Sequence, residues 1–479
     1  MKIPNYLDSP PRTRTLLLPV AVGVATSLLL FAAATPILAS DKPAYEGNGL
    51  TQRTDNCVTS ECHGEYQELR HVHGPVALGL CLSCHEIMED STPYESGEDH
   101  WFDVVETDGR LCQNCHESIA EESVVHYPIR RNKCIACHDP HGSDYPGMMR
   151  HEKMADNCYE CHEPVLDDDP HIHAPVRVGA CTVCHDPHGS ANPFQTVAEG
   201  SNLCLRCHSG IADTIARSRH IHRPVMENCA VCHQPHDALH GPLLKEAVPK
   251  LCLDCHGEMA EHIQNAALPH GALDGERSCL KCHDPHASNF SRQLRDKPSE
   301  LCLSCHNKEM MGSDHVLRDM RSFLEVNPDH HGPIRNGDCS ACHNPHGSEI
   351  PALLYKEYPK TFYSSFDLEA YSLCFSCHEH SLVQDPETET LTGFRNGNVN
   401  LHFVHVNREN KGRTCRACHD VHASQHPKHI ANSVPFGNWS MPIQFEKTPQ
   451  GGSCSPGCHD TQSYDRNAVI VPREESDAE

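Results

Sequence analysis

The alternation of apolar and polar residues that marks a half-buried strand is nearly absent from this chain, and helical periodicity comes only in short runs. Polar stretches such as Glu117-Ser-Ile-Ala-Glu-Glu and Gly257-Glu-Met-Ala-Glu-His predict one or two helical turns each. Between them, Gly-Ser or Ala-Ser dipeptides, often near a proline, predict loops. Clustered Tyr and Phe make the segment from Pro351 to Asp367 the best candidate for a small conventional core, and the polar tail after Tyr464 predicts disorder. The expected fold is therefore mostly irregular, with short α-helices and very little β.

One long apolar run stands apart. It extends from Leu16 to Ala34 behind Lys2, Arg12 and Arg14, and Ile37-Leu38-Ala39 supplies the small exit residue of an export signal cleaved after Ala39 or Ser40. An uncleaved anchor is the alternative, since nineteen largely apolar residues just span a bilayer. Pro19 and the Thr-Pro at 35–36 favour cleavage, which leaves no membrane span in the mature chain. Aromatics make up only 5% of the residues and Trp occurs twice, so the remaining chain is short of material for a core. Loss of the leader, with its three basic residues and one acidic residue, takes the net charge from −26 to −28. Nucleic acid is thereby excluded as a partner, and the acidity serves solubility or the docking of basic partner proteins.

The cysteines show what replaces the core. All thirty fall in fifteen pairs whose second member is followed by histidine. Thirteen pairs have the C-x-x-C-H spacing: Cys81/Cys84-His85, Cys112/Cys115-His116, Cys134/Cys137-His138, Cys158/Cys161-His162, Cys181/Cys184-His185, Cys204/Cys207-His208, Cys229/Cys232-His233, Cys252/Cys255-His256, Cys279/Cys282-His283, Cys302/Cys305-His306, Cys339/Cys342-His343, Cys374/Cys377-His378 and Cys415/Cys418-His419. Two are stretched, Cys57/Cys62-His63 and Cys454/Cys458-His459.

This is the attachment signature of c-type haem: two thiols add to the vinyl groups along one porphyrin edge, and the adjacent imidazole becomes the proximal iron ligand. Zinc ribbons also use paired cysteines, but they need four ligands and no histidine after every second cysteine. Disulfides impose no neighbouring histidine at all. With about 440 mature residues, each of fifteen haems is served by roughly 29, so the porphyrins supply much of the apolar interior. Haem attachment of this kind happens outside the cytoplasm, in agreement with the leader.

The motifs alternate. Plain sites begin at Cys57, Cys112, Cys158, Cys204, Cys252, Cys302 and Cys374, each followed by a decorated site at Cys81, Cys134, Cys181, Cys229, Cys279, Cys339 and Cys415, with Cys454 alone at the end. The decoration is histidine. Seven to ten residues before the first cysteine lie His73, His126, His173, His222, His270, His331 and His405, often with a small residue and Pro-Val after them. Three residues past the proximal histidine, in Cys-His-Asp-Pro-His or a variant, lie His141, His188, His236, His286, His346 and His422. Thirteen histidines in register are candidate distal ligands.

Reach constrains them. Three residues span at most about 10 Å, too little to round the rim of a site's own porphyrin, so the Pro-His set is expected to serve a neighbouring haem. The upstream set has a longer tether and reaches its own haem or the preceding one. His100 and His426 or His429 are candidates for the two irons left over, while His71, His171, His220 and His330 have no assigned role.

The layout resembles the doubled-CxxCH multihaem cytochromes c, which include decahaem conduit proteins of outer-membrane electron-transfer complexes and pentahaem donors to nitrite reductase. The resemblance covers residues 55–460, and the stretch from Phe394 through His402 and His405 to His422 looks like the closing module of longer members. At Cys81, Glu86-Ile-Met stands where the Pro-His would be. The resemblance implies an elongated array organised around haems: a signal peptide at 1–39, twelve motifs at 40–350, a three-haem module at 351–463 and a disordered acidic tail at 464–479. It implies an electron conduit, periplasmic or part of an outer-membrane or extracellular complex, with other cytochromes and a porin as partners. A multihaem reductase with one open catalytic haem is the alternative, and a passive electron store a third reading. No motif ends in lysine, as one reductase class requires, and 41 histidines exceed the thirty axial positions of fifteen irons.

Overall fold

The computed structural model describes residues 57, 63–87, 102–105, 109–117, 119, 121–165, 170–312 and 316–469. The apolar run at 16–34, the signal assigned to 1–39, the attachment cysteine Cys62 and the candidate ligand His100 lie outside the described residues. Among the described residues, secondary structure comes in fragments: one-turn helices, 3-10 turns and antiparallel ladders mostly two residues long. No helix among them is long and apolar enough to cross a membrane.

Three local rules generate the repeat. First, five of the seven upstream histidines end an extended segment and open a one-turn helix with proline in its first turn, at Gly74–Ala77, Tyr127–Arg130, Ala174–Arg177, Arg223–Glu227 and Gly332–Arg335. Proline fits there because its φ is already helical and its missing N–H would have had no partner. Second, decorated motifs form 3-10 turns such as Cys134–Ala136, while the plain motifs from Cys112 to Cys302 fall at the ends of short α-helices such as Met154–Tyr159, and that at Cys374 forms a 3-10 turn. In both, the histidine N–H bonds back to the first cysteine carbonyl, at 3.1 Å for His138 and 3.0 Å for His162.

Third, the dipeptides predicted as loops pair at long range. Gly142–Ser143 pairs with His71–Val72, Gly189–Ser190 with Val124–Val125, Asp237–Ala238 with His171–Ile172, Ala287–Ser288 with His220–Ile221, and Ala423–Ser424 with Asp329–His330. Glycine suits the close approach: at φ +144°, a Cβ on Gly142 would stand 2.6 Å from the His71 carbonyl oxygen. His71, His171, His220 and His330 therefore belong to ladder strands.

The helices predicted after plain motifs form only where the linker allows. Helix α1 (Ser209–Arg217) and α2 (Gly257–Asn265) occupy linkers of fourteen residues from proximal to upstream histidine. After His116 that distance is ten residues, and the described residues of 117–122 are not helical. A nine-residue helix advances about 14 Å and cannot fit a linker that must also turn back into a strand.

Side-chain cores occur in the C-terminal part, as the aromatic content of 351–367 suggests. Tyr371, Val383 and Val406 are packed by Tyr358, Phe366 and Phe375, and Ala431, Val434, Met441 and Ile443 by Phe362, Ile430 and Phe445. Helix α3 (Leu401–Val406) starts at Asn400, fully buried, whose side chain accepts the N–H groups of His402 and Phe403 at 3.0 and 3.4 Å. Its amide donates to the Leu382 and Asp385 carbonyls at 2.8 Å. Asn400→Ala should lower the unfolding free energy by about 2–4 kcal/mol, because it removes a cap and leaves two buried carbonyls unpaired. Chemical denaturation followed by the module's Tyr and Trp fluorescence measures this.

Beyond α3, β1 (Ser433–Phe436) and β2 (Trp439–Pro442) form a hairpin, and β3 (Phe445–Lys447), β4 (Gly451–Cys454) and β5 (Gln462–Asp465) a three-stranded sheet. Strand β5 corrects the predicted tail: Tyr464 and Asp465 pair with Gly452 and Gly451, and the ordered chain continues to 469. Backbone pairing, rather than apolar pattern, recruits these polar residues.

Candidate haem sites

Imidazole rings face each other in thirteen pairs. Upstream histidines face the proximal histidines of plain motifs: His73 with His116, His126 with His162, His173 with His208, His222 with His256, His270 with His306 and His331 with His378, at ring-centre distances of 5.9–6.3 Å. Pro-His histidines face the proximal histidines of decorated motifs: His141 with His85, His188 with His138, His236 with His185, His286 with His233, His346 with His283 and His422 with His343, at 6.0–6.2 Å. His402 faces His419 at 6.5 Å. Interplanar angles stay at 25° or below except for His185 with His236, at 41°.

That spacing has a chemical meaning. An imidazole nitrogen binds a transition metal at about 2 Å, and each ring centre lies roughly 1 Å behind its nitrogen, so rings on opposite sides of one ion have centres roughly 6 Å apart. The described cysteines from Cys81 onward form no disulfide, and the two thiols and histidine of each standard motif share one turn. The residues present therefore fit a porphyrin iron held between two imidazoles. In the first stretched motif the predicted attachment residue Cys62 lies outside the described residues, so only Cys57 and His63 are placed, joined by a bond from the His63 N–H to the Cys57 carbonyl at 3.2 Å.

Eleven of the ring nitrogens that face away from the pair have a backbone carbonyl as partner. In decorated motifs the proximal Nδ1–H donates to the carbonyl nine residues on: His138 to Gly147, His185 to Phe194, His283 to Arg292, His343 to Ala352 and His419 to Lys428 at 2.8 Å, and His233 to Pro242 at 3.1 Å. Upstream histidines donate to the proline carbonyl of Pro-His: His73 to Pro140, His126 to Pro187, His173 to Pro235, His222 to Pro285 and His270 to Pro345, at 2.8–3.0 Å. Such bonds fix the tautomer that leaves Nε2 free for a metal.

The Pro-His set thus turns to the preceding decorated motif, a neighbour, as its short tether required. The upstream set does neither of the two things its tether suggested. His73 faces neither its own motif's His85 nor an earlier one, but His116, in the next plain motif. The cause is the ladder. Pairing of His71–Val72 with Gly142–Ser143, extended by the bond from His73 N–H to the His141 carbonyl at 3.0 Å, carries His73 forward beside His141. This also explains Glu86-Ile-Met: no decorated motif precedes Cys81, so a Pro-His there would have nothing to face, and 85–87 pairs instead with 102–104.

The Cys415 motif has no later decorated motif in this sequence to face its His419, and His402 fills the place. It was missed because it belongs to neither histidine series; the signal available was its position three residues before His405 on one helix. Its Nδ1 is buried with no hydrogen-bond partner, an arrangement that suits a metal ligand better than a structural histidine. His405 stacks on Phe394, donates to the Leu401 carbonyl at 2.6 Å and lies near enough to His459 to feel its charge. His429 is held by Asp329 and edges onto His331, and His426 bonds to Asn432. His63 stacks on Tyr66 and stands 3.6 Å from the Glu65 carboxylate.

Burial keeps the C-terminal ligand candidates neutral. It pushes His402 down to about 4, helped by His419 and His405, and His422 to about 4 against the pull of Asp420. A histidine lowered in the folded state stabilises the fold fully above its unfolded value of about 6.5, and that contribution is lost as pH falls toward about 4. Thermal melting midpoints should accordingly drop between about pH 6.5 and pH 4, and a constant midpoint would contradict the burial of these rings.

Neighbouring motifs touch through their cysteines. The first thiols of a plain motif and the next decorated motif lie close enough to act on each other's ionisation: Cys112 and Cys134, Cys158 and Cys181, Cys204 and Cys229, Cys252 and Cys279, Cys302 and Cys339, and Cys374 and Cys415. The second thiol of a decorated motif lies beside that of the next plain one: Cys84 by Cys115, Cys137 by Cys161, Cys184 by Cys207, Cys232 by Cys255, Cys282 by Cys305 and Cys342 by Cys377. Cys418 continues the series to Cys454 and Cys458. Contact runs motif by motif, in sequence order, from Cys81 to the last.

Comparison with known proteins agrees with this repeat. The doubled CXXCH motif family matches residues 73–121, 126–166, 173–213, 222–261, 270–311 and 331–381, more than half of the chain. Each matched stretch begins at an upstream histidine and contains the plain proximal histidine that it faces, so the repeat unit is decorated then plain. Multiheme cytochrome MtrA of Shewanella baltica (strain OS185) is 28% identical over 122 residues, 24% of this chain and 33% of that protein. The aligned part spans about a third of that relative's length.

Proposed function

The chain belongs to the doubled CXXCH family, and from that premise we propose that it is a fifteen-haem c-type cytochrome that conducts electrons along its sequence, rather than an enzyme. The supporting observation is that the cysteines of each motif lie near those of the next, in sequence order from Cys81 to Cys454, since those sulfurs would carry the porphyrin edges. A haem held by two imidazoles supplies one-electron chemistry with no open position for substrate. The chain's own part is to hold both imidazoles, fix their tautomers through backbone carbonyls and set each thioether edge against the next. The acidic mature chain would dock basic redox partners outside the cytoplasm, in the periplasm or plugged into an outer-membrane porin. Residues 1–39 would be the export signal, and Cys62 would join Cys57 in holding the first haem.

Intact mass and haem-to-protein ratio should give fifteen haems per chain, and thirteen would mean that the stretched motifs, Cys57/Cys62 and Cys454/Cys458, are not loaded. The haems should be low-spin and titrate over a broad range below the hydrogen potential, because histidine and not methionine recurs at the distal positions. One high-spin, five-coordinate iron that binds substrate would overturn the conduit in favour of an enzyme.

A further inference from the structure

Two residues before each Pro-His histidine stands Asp139, Asp186, Asp284 or Asp420 in four motifs, but Gln234 and Asn344 in the other two. Both Asp and Asn here close the same turn: their Oδ1 accepts the histidine's backbone N–H at 3.0–3.1 Å, at His141, His188, His286, His346 and His422. Geometry is shared and charge is not. The four carboxylates lie 3.6–3.9 Å from the Nδ1 of the histidine they position, although Asp420 also pairs with Arg318 at 3.1 Å. In the Gln234 motif a carboxylate returns one residue after the histidine, as Asp237, which acts on His236.

At Asn344 nothing replaces it. Among the described residues no carboxylate ion-pairs with His346, while the Arg292 guanidinium lies close enough to act on its ring as a positive neighbour. The Asn344 amide turns to His262 Nε2 at 3.0 Å. Glu258, Glu261 and Glu349 line a cavity with His262 but make no ion pair with His346. A carboxylate beside the outer nitrogen of a ligating imidazole strengthens that ligand and favours the more positive metal state, and its absence favours the reduced one.

We propose that Asn344, by withholding this carboxylate, gives the haem site between His283 and His346 a higher reduction potential than the five decorated sites whose Pro-His histidine has a carboxylate beside it, so that electrons dwell there within the array. The inference rests on the reading of His346 as an axial ligand. Asn344 is a positioning residue, acting through His346.

The test is spectropotentiometric titration of the full holoprotein. Asn344→Asp should keep the turn, leave the low-spin spectrum intact and move one haem's share of the titration to lower potential, by about tenfold in its oxidised-to-reduced ratio, or about 59 mV for one electron. Asp186→Asn should move one haem's share upward by a similar amount. A titration unmoved, or moved the opposite way, by either variant overturns the proposal. His346→Ala separates the two readings: a low-spin fraction unchanged by it would show that the ligand assignment has failed, whatever the titrations give.

Discussion

Replacing Cys229 and Cys232 together by alanine should remove one haem and stop electron passage between the two ends of the chain. This motif is the eighth of fifteen, joined to its neighbours through Cys204 with Cys229 and Cys232 with Cys255. These motifs flank it on either side, so the electron would have to cross the width of a missing porphyrin. The expected result is one haem fewer by intact mass, roughly one-fifteenth less electron capacity with a diffusing reductant, and end-to-end transfer reduced far out of proportion. The readout is the chain fixed at one end on an electrode, with a bulky oxidant at the other. Removing Cys454 and Cys458 costs the same capacity at the terminus of the series, and should leave transfer up to Cys415 intact. Equal, small losses in both variants would show a passive store instead of a conduit.

His402→Ala should open one iron without removing a haem, because the thioethers at Cys415 and Cys418 and the proximal His419 remain. About one-fifteenth of the low-spin signal should become high-spin or take up an added ligand such as imidazole. His188→Ala and His236→Ala should each do the same in mid-array, at the sites of His138 and His185. His405→Ala should leave the His419 site closed, since His405 lies toward His459 and Phe394. The pair of helix variants therefore distinguishes ligand loss from a general loosening of α3, which both would cause. If His405→Ala opens the His419 site and His402→Ala does not, the assignment drawn from ring geometry fails.

The sequence alone determined the chemistry, because attachment is local. Two thiols and a histidine within five to seven residues belong to one site whatever surrounds them, so thirty cysteines could be read as fifteen sites without a fold. It also set the expectation that the Pro-His set turns to a neighbouring motif, since three residues cannot reach round a porphyrin, and its rings face the preceding decorated motif. A scarcity of core material was expected from composition, and among the described residues before 350 the buried ones are small or polar, such as Ala155, Ser201 and Asn344. The tertiary structure decided what depends on long tethers. His73 and His116 are 43 residues apart, a distance compatible with many partners, and the choice is made by a two-residue ladder whose backbone bonds carry almost no side-chain pattern. The same holds for β5, and for His402, which takes its place from a buried helix cap at Asn400 and from the absence of a following repeat. Side-chain identity records what a residue can bind, but non-local backbone pairing decides which site it is brought to.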